Sequence, residues 1–215
     1  MKKSIIIIGK GPSVLQSTRE FVESFDEVAI CNFPPMNGYE KHIGNKAQYL
    51  FLNAGDPNPY DKSLLNSLGL THAFNTSHRP KGREDKFCPA GVTYDAHYGE
   101  KRKPQFKKDH GFDPSTGILA FDYFVRNSGY DTIGLVGFDL FKVGTPVYYF
   151  SKDAVQPSLH YLFSPDGHRP YTPEGIIKKE SSHGSTEHVF AYINSMLERF
   201  NKNAKVPWEE KVESN

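Results

Sequence analysis

A run of four isoleucines near the amino terminus places the strongest constraint on how this chain can fold. Ile5 to Ile8 form a continuous apolar, β-branched segment, and a glycine-rich turn follows at once, Gly9-Lys10-Gly11-Pro12-Ser13. A segment that is apolar at every position is typical of a central parallel strand buried on both faces. The run is too short for the core of a signal peptide, which needs about 7–15 apolar residues. The sequence therefore predicts that residues 4–8 form a buried strand that ends in a tight turn.

Strand and helix patterns alternate along the rest of the chain. Strands are predicted over 27–31, 47–52, 71–74 and 132–137, and helices over 14–24, 63–68, 115–127 and 187–200. Such alternation favours an α/β fold, a Rossmann-like α/β/α sandwich with a mostly parallel sheet. The length of 215 residues suits a single domain, which we assign to residues 1–205, with a polar tail over 206–215. Residues 75–113 and 141–180 show no clear period and are expected to form long loops, the first functional or partly disordered and the second a lid.

The charge balance and the two cysteines restrict the possible binding partners and the cellular compartment. Lys and Arg total 26 against 25 Asp and Glu, so no global field favours nucleic acid. The basic residues concentrate at Lys101-Arg102-Lys103 and Lys107-Lys108, a segment that either contacts an anionic acceptor or membrane surface or is simply solvated. The low number of cysteines, Cys31 and Cys88 alone, indicates a reducing compartment, and a single disulfide between them is the alternative. No run approaches the ~18 apolar residues of a membrane-spanning helix.

Candidate ligand-binding residues fall at the ends of the predicted strands. In parallel sheets ligands bind outside the carboxyl ends of the strands. The glycine turn at 9–13 could approach a nucleotide closely, although it matches neither glycine-rich phosphate motif and a plain strand-to-helix turn is the alternative. Asn32 and Asn53 carry amides that could read a base or sugar, or satisfy their own turns. Phe138-Asp139 follows the last predicted strand.

Two further sites lie at helix starts. Ser115-Thr116-Gly117 offers hydroxyls and free N–H groups that could hold a phosphate, or that could simply cap the helix. His183 precedes the last helix, where a neutral imidazole could act as a general base or could lie on the surface near a cap. None of the nine histidines forms a pair with convincing metal-ligand spacing, and no Asp-x-Asp pair exists. We therefore expect no metal.

Three motifs resemble those of the animal-type sialyltransferases, glycosyltransferase family 29. Residues 6–13, 31–35 and 43–46 resemble the large sialyl motif, and residues 113–119 with Gly137-Phe138 resemble the small one. His183 falls where the family keeps its very small motif, although Glu187 comes one residue early. The glycine turn, Asn32, Asn53 and the late histidine are also similar to the bacterial sialyltransferases of family 42.

The resemblance implies an inverting, metal-independent transfer of sialic acid, or of a related nonulosonic acid or Kdo, from a CMP-sugar to a glycan acceptor. It implies the variant of the GT-A fold found in sialyltransferases and no cofactor beyond the donor substrate. The residues implied to bind the donor nucleotide are Gly9, Lys10, Gly11, Pro12, Ser13, Asn32, Asn53, Ser115, Thr116, Gly117, Phe138 and Asp139. Tyr148 and Tyr149 would contact the phosphate from the lid, and His183 would remove the proton of the acceptor hydroxyl.

Several positions depart from the family pattern. Lys10 stands where the family usually has Asn, so a cation would contact the nucleotide phosphate. The cysteine of the small motif is absent, which removes the family's linking disulfide, and His160-Tyr161 is only a loose match to its aromatic motif. With no membrane anchor, these features predict a cytoplasmic enzyme of microbial or viral type. The alternatives are a pyrophosphokinase-like nucleotide enzyme on a related fold and an inactive CMP- or glycan-binding module.

Overall fold

One parallel sheet forms the centre of the protein. The computed structural model describes residues 2–32, 36, 38–53, 62–77, 90–139 and 183–207. Within them the sheet contains seven strands in the order β5-β4-β3-β2-β1-β6-β7. Their bounds are β1 Lys3–Ile8, β2 Glu27–Cys31, β3 Tyr49–Leu52, β4 His72–Asn75, β5 Thr93–Asp95, β6 Tyr130–Val136 and β7 Asn203–Lys205. The isoleucine strand β1 is central, and its Ile8 pairs with Ile30 on one side and Val136 on the other.

Helices cover both faces of the sheet. They are a 3-10 helix Pro12–Gln16, α1 Arg19–Glu23, α2 Glu40–Ile43, α3 Lys62–Ser67, α4 Tyr98–His110, α5 Thr116–Arg126 and α6 Thr186–Arg199. The predicted single helix over 14–24 is wrong, because the chain breaks between the 3-10 helix and α1. Thr18 caps the start of α1, and its side chain accepts a hydrogen bond from the Phe21 N–H at 3.1 Å. A Thr side chain pairs a free backbone N–H at the start of a helix, whereas within a helix it is less favourable. This explains why a new helix starts here.

The two faces of β1 belong to two different hydrophobic clusters. Ile6 and Ile8 face a mostly aliphatic cluster, to which the 3-10 helix, α1, α2 and α3 contribute Val14, Val22, Ile43 and Leu65. Ile5 and Ile7 face a cluster rich in aromatic rings, to which α4, α5 and α6 contribute Phe106, Phe121, Phe124 and Tyr192. We call these the aliphatic side and the aromatic side. Two helical layers around one parallel sheet confirm the α/β/α sandwich expected from the sequence.

The prediction of an unstructured loop over 75–113 is wrong for its second half. Strand β5 and the whole of α4 lie in this segment. Helix α4 buries only Gly99 and Phe106 and contains Pro104, so its sequence carries little helical periodicity. The helix ends at Gly111, whose φ of +82° gives the left-handed cap that glycine accepts without strain. The predicted lid at 141–180 lies outside the described residues.

Across the ranges that the structure describes, no helix is both long enough and apolar enough to cross a membrane.

Candidate active site

Strands β1 and β6 are neighbours at the point where the order of strands in the sheet reverses. Strands β2 to β5 extend from one side of β1, whereas β6 and β7 lie on the other. In open α/β sheets the crevice at such a switch, outside the carboxyl ends of the strands, is where ligands bind. The segments that follow β1 and β6 contain Gly9–Ser13 and Gly137–Asp139, and they meet at this point.

The glycines of both segments are required by their close packing. The Gly9 N–H donates to the Val136 carbonyl at 2.7 Å, and the Gly11 N–H donates to the Gly137 carbonyl at 3.0 Å. A Cβ on Gly9 or on Gly11 would overlap the Gly137 carbonyl, and Gly137 itself has a φ of +74°. Packing between two turns therefore accounts for these glycines, and nucleotide contact through them stays a prediction.

Ser13 and Asp139, two of the expected ligand-binding residues, bind each other. The Ser13 N–H donates to both carboxylate oxygens of Asp139 at 3.0 Å, and the Ser13 hydroxyl donates to Oδ2 at 2.9 Å. The same hydroxyl accepts from the Gly137 N–H at 3.1 Å. Asp139 thus supplies the anion at the start of the 3-10 helix from within the protein. A ligand phosphate near this turn would need other donors than the Ser13 N–H.

The asparagines that follow β2 and β3 are brought together. Asn32 has a φ of +51°, in the left-handed region that Asn tolerates better than most residues. Its N–H donates to the Phe51 carbonyl at 2.8 Å, and its side-chain oxygen accepts from the Asn53 N–H at 2.9 Å. The Asn32 side chain thereby ties two strand ends together, and its amide N–H₂ is the part that could contact a ligand.

Lys10 lies close to the end of β2. Burial raises the pKa of the Cys31 thiol to about 12, and the charge of the nearby Lys10 acts in the opposite direction. Cys31 is a buried free thiol, whereas Cys88 lies outside the described residues. Lys10 therefore lies near the strand ends that border the crevice, and its contact with a nucleotide phosphate stays a prediction.

The helix start at 115–117 forms as predicted. The Ser115 hydroxyl accepts from the Ile118 N–H at 3.3 Å and caps α5. The Thr116 hydroxyl lies 3.0 Å from the Thr76 hydroxyl, which itself donates to the Leu52 carbonyl at 3.1 Å. A Cβ on Gly117 would lie 3.1 Å from Cε1 of Phe138, so the absence of a side chain lets this ring pack on the first turn.

Thr76 was not identified from the sequence, although it is fully buried and holds Thr116. It directly follows β4, as Asn32 follows β2 and Asn53 follows β3. That repeated position was the available signal. The prediction of one irregular loop over 75–113 conceals this signal, because Thr76 then no longer follows directly after a strand.

His183 lies beside the segment that leads into α5. Its Nδ1 is 3.1 Å from the carbonyl oxygen of Asp113, two residues before the cap Ser115. The Asp113 carboxylate in turn binds the Lys107 ammonium at 2.8 Å. The structure therefore brings the predicted base and the predicted anion-binding helix start together, although 70 residues separate His183 from Asp113.

The basic segment at 101–103 lies on α4, and its central residue is committed to an internal contact. The Arg102 guanidinium binds both carboxylate oxygens of Asp122, Nε to Oδ2 at 2.6 Å and Nη2 to Oδ1 at 3.1 Å. Burial lowers the pKa of the neighbouring Lys103, with Asp113 acting in the opposite direction. Arg102 is therefore bound to Asp122 within the protein, and contact of the segment with an acceptor or a membrane stays a prediction.

The structure does not test the remaining predictions about the site, which concern four further residues and the need for a metal. Tyr148, Tyr149 and His160-Tyr161 lie outside the described residues. Among the residues that are described, no group of three or more His, Cys, Asp or Glu side chains could hold a metal ion. Metal independence stays a prediction.

Sialyltransferases are among the solved structures that resemble this chain. The chain aligns with the sialyltransferase CstII from Campylobacter jejuni in complex with the substrate analogue CMP-3FNeuAc, with a TM-score of 0.58 and 16% identity over 96% of this chain and 81% of that one. The CstII complex with the substrate analogue cytidine-5'-monophosphate aligns with a TM-score of 0.56 and 13% identity, over 95% of this chain and 79% of that one. A mammalian sialyltransferase in complex with Gal-beta-1-3GalNAc-ortho-nitrophenol aligns with a TM-score of 0.49 and 14% identity, over 95% of this chain and 69% of that one. The CstII alignments establish a shared fold.

The sequence matches no protein-family profile and no curated protein.

Proposed function

We propose that this protein is a glycosyltransferase that moves sialic acid, or a related nonulosonic acid or Kdo, from a CMP-sugar to a glycan hydroxyl. One observation carries the proposal: the hydrogen bond between His183 and the Asp113 carbonyl, which joins a candidate base to a candidate phosphate site. The fold shared with CstII, whose structures contain CMP and a CMP-sugar analogue, supports the same donor class.

The donor nucleotide would lie in the crevice between the ends of β1 and β6. The nucleotide would be contacted by Lys10, the Asn32 amide and Asn53. The glycines, which have no side chains, would let it lie close to the backbone. The Ser13–Asp139 pair would hold the shape of the turn. This differs from a phosphate-binding loop, because here a carboxylate of the protein already occupies the anion position.

The chemical step needs only one proton acceptor and one stabilised leaving group. His183 would take the proton of the acceptor hydroxyl as the oxygen attacks the anomeric carbon of the donor sugar. The bond from that carbon to the phosphate oxygen breaks, and its electron pair leaves with CMP. Attack opposite the leaving group inverts the anomeric centre.

The negative charge on the departing phosphate would be met by donors at the start of α5. The Ser115 hydroxyl and the free N–H groups of the first turn, including that of Thr116, are suited to this role, with Tyr148 and Tyr149 added from the segment outside the described residues. No metal is required in this scheme. We therefore expect full activity after treatment with EDTA, and a loss that Mg²⁺ or Mn²⁺ restores would contradict it.

Release of CMP from CMP-sialic acid in the presence of a glycan panel tests the proposal directly. A pyrophosphokinase-like enzyme or an inactive binding module would release none, and mass spectrometry of the product identifies the sugar transferred. His183→Ala should lower kcat by about 10²–10⁴-fold. His188→Ala is the matched control, because His188 is exposed on the first turn of α6 and should leave kcat unchanged.

Retention of CMP binding with full transfer activity in His183→Ala would exclude His183 as the base.

A further inference from the structure

The contacts around His183 form a seat, which we define as Phe112, the Asp113 carbonyl and Gly184. We propose that this seat fixes both the position and the tautomer of His183, so that Nε2 is the basic nitrogen. Phe112 and Gly184 are then positioning residues. The catalytic part of this inference rests on the proposed function, whereas the structural part does not.

The hydrogen bond itself determines the tautomer. A carbonyl oxygen can only accept, so the 3.1 Å bond from Nδ1 to the Asp113 oxygen requires a proton on Nδ1. A neutral ring then carries its lone pair on Nε2. In histidine sites of this kind the partner of one ring nitrogen sets the protonation of the other.

The Phe112 ring provides the surface against which the backbone of Gly184, the residue after His183, lies. Phe112 is buried, with its ring centroid 5.2 Å from that of Phe106 on α4 and 6.1 Å from that of Tyr192 on α6. It is therefore wedged between two helices and cannot move freely.

Gly184 lets the chain approach this ring. A Cβ at position 184 would lie 3.0 Å from Cγ and 3.2 Å from Cβ of Phe112, and the φ of Gly184 is +79°. Any side chain here would push the backbone away from the ring. Because His183 is the adjacent residue, that displacement would lengthen the bond to the Asp113 carbonyl.

The other side of the seat is anchored through Asp113. Its carboxylate binds Lys107 on the last turn of α4 at 2.8 Å, and the following residues lead directly into α5. The carbonyl that holds His183 is thus fixed from α4 and α5, while Gly184 leads into α6. A base held from three helices keeps its orientation before any ligand binds, which is the condition for efficient proton transfer.

Substitution of Gly184 tests the seat, with a matched control elsewhere in the chain. Gly69 also has a positive φ, +76°, but nothing lies within 4 Å of the position where its Cβ would be. Gly69→Ala therefore carries the backbone penalty without the contact. We expect Gly184→Ala to lower kcat by about 10²-fold, with KM for CMP-sialic acid changed only slightly, and Gly69→Ala to leave both unchanged.

A spectroscopic readout separates positioning from mere loss of stability. Long-range ¹H–¹⁵N spectra of protein labelled at histidine nitrogens report the tautomer of each neutral ring, and His183→Asn assigns the signal. We expect the Nδ1–H form for His183 in the unmodified protein and in Gly69→Ala, and a mixture of tautomers in Gly184→Ala. Phe112→Leu, which keeps an apolar side chain without the flat ring, should show the same mixture if Gly184→Ala does not fold.

The outcomes are distinct. An Nε2–H tautomer for His183 in the unmodified protein, or a tautomer unaffected by Gly184→Ala and Phe112→Leu, overturns the seat. A fixed Nδ1–H tautomer that depends on Gly184, in a protein that transfers no sugar, supports the seat and overturns the proposed function instead.

Discussion

The two sides of the sheet are built on different physical principles. On the aliphatic side, the helices that the structure describes are short and pack against Ile6 and Ile8 through apolar side chains. On the aromatic side, three longer helices pack through rings and through Asp122, which is the only buried charged side chain among the described residues. Ser115 and His183 both belong to the aromatic side, where contacts have defined directions.

Asp122 joins the three helices of the aromatic side. Its carboxylate accepts from Arg102 on α4 at 2.6 Å, from Arg126 on its own helix α5 at 2.8 Å and from the Tyr192 hydroxyl on α6 at 2.7 Å. Burial by itself raises the pKa of Asp122, but the hydrogen bonds from Arg102, Tyr192 and Arg126 outweigh it and lower that pKa below 3.8. Helices that carry the candidate site are therefore held in one register relative to each other.

Removal of the Asp122 carboxylate should have the largest effect on stability. Asp122→Ala leaves the guanidinium groups of Arg102 and Arg126 without their acceptor in a mostly buried position, and we expect a loss of about 3 kcal/mol in the free energy of unfolding. Urea titration measures this loss. Asp109→Ala on the exposed face of α4 is the control, with an expected change of less than about 0.5 kcal/mol. Equal effects at the two positions would contradict a special role for Asp122.

Acid should remove part of the same stabilisation. Because the pKa of Asp122 is lower in the folded than in the unfolded protein, its contribution is complete well above pH 3.8 and is lost as the pH falls through the folded value. The difference in free energy of unfolding between the unmodified protein and Asp122→Asn should be constant near neutral pH and should narrow below about pH 4. A difference that widens on acidification would refute the sign of this shift.

On the aliphatic side the corresponding weakness is overpacking. A Cβ on Gly134 of β6 would lie 2.5 Å from Cζ of Phe25 and 3.0 Å from Cγ1 of Ile6. We expect Gly134→Ala to cost about 1–3 kcal/mol, because Phe25 is itself buried. In a double-mutant cycle with Phe25→Leu the two losses should be less than additive. Strict additivity would show that the ring is not what excludes a side chain at position 134.

The smallest effect is expected where one polar atom is removed from the aromatic side. Tyr192→Phe deletes a hydroxyl that donates to a carboxylate, and about 1.5 kcal/mol should be lost. Tyr98→Phe deletes a hydroxyl that donates to the neutral Leu119 carbonyl at 3.0 Å, so about 1 kcal/mol or less is expected. Thermal and urea unfolding compare the two. A larger loss for Tyr98→Phe would contradict the dominance of the Asp122 network.

The elements that could be predicted from the sequence are those whose burial appears in their own residues. Ile5 to Ile8 indicate β1 because every position is buried, and Ser115 indicates the start of α5 because a cap precedes an apolar run. Helix α4 could not be predicted in this way, since Phe106 is its only large buried side chain. Strand β7 is exposed at all three residues and exists through pairing with β6.

The candidate site was predictable to the same extent. Polar residues after strands indicated one edge of the sheet, and the structure brings several of them together there, but their partners could not be assigned from sequence. The Ser13–Asp139 pair and the bond from His183 to Asp113 join residues far apart in the chain, and no local pattern encodes such contacts. Asp122 gave one available sign, an acidic residue within the otherwise apolar run from Ile118 to Val125.

The central place of β1 has a consequence for how the chain folds during synthesis. Ile8 leaves the ribosome long before one of its two strand partners, Val136, which lies far later in the sequence. Until then one edge of β1 is unpaired. The aromatic face of β1 to β4, which includes Phe51 and Phe74, stays exposed until α5 covers it. Long-range parallel pairing of this kind is slow and leaves exposed edges open to aggregation. The nascent protein should therefore depend most on chaperones between completion of β4 and arrival of α5 and β6.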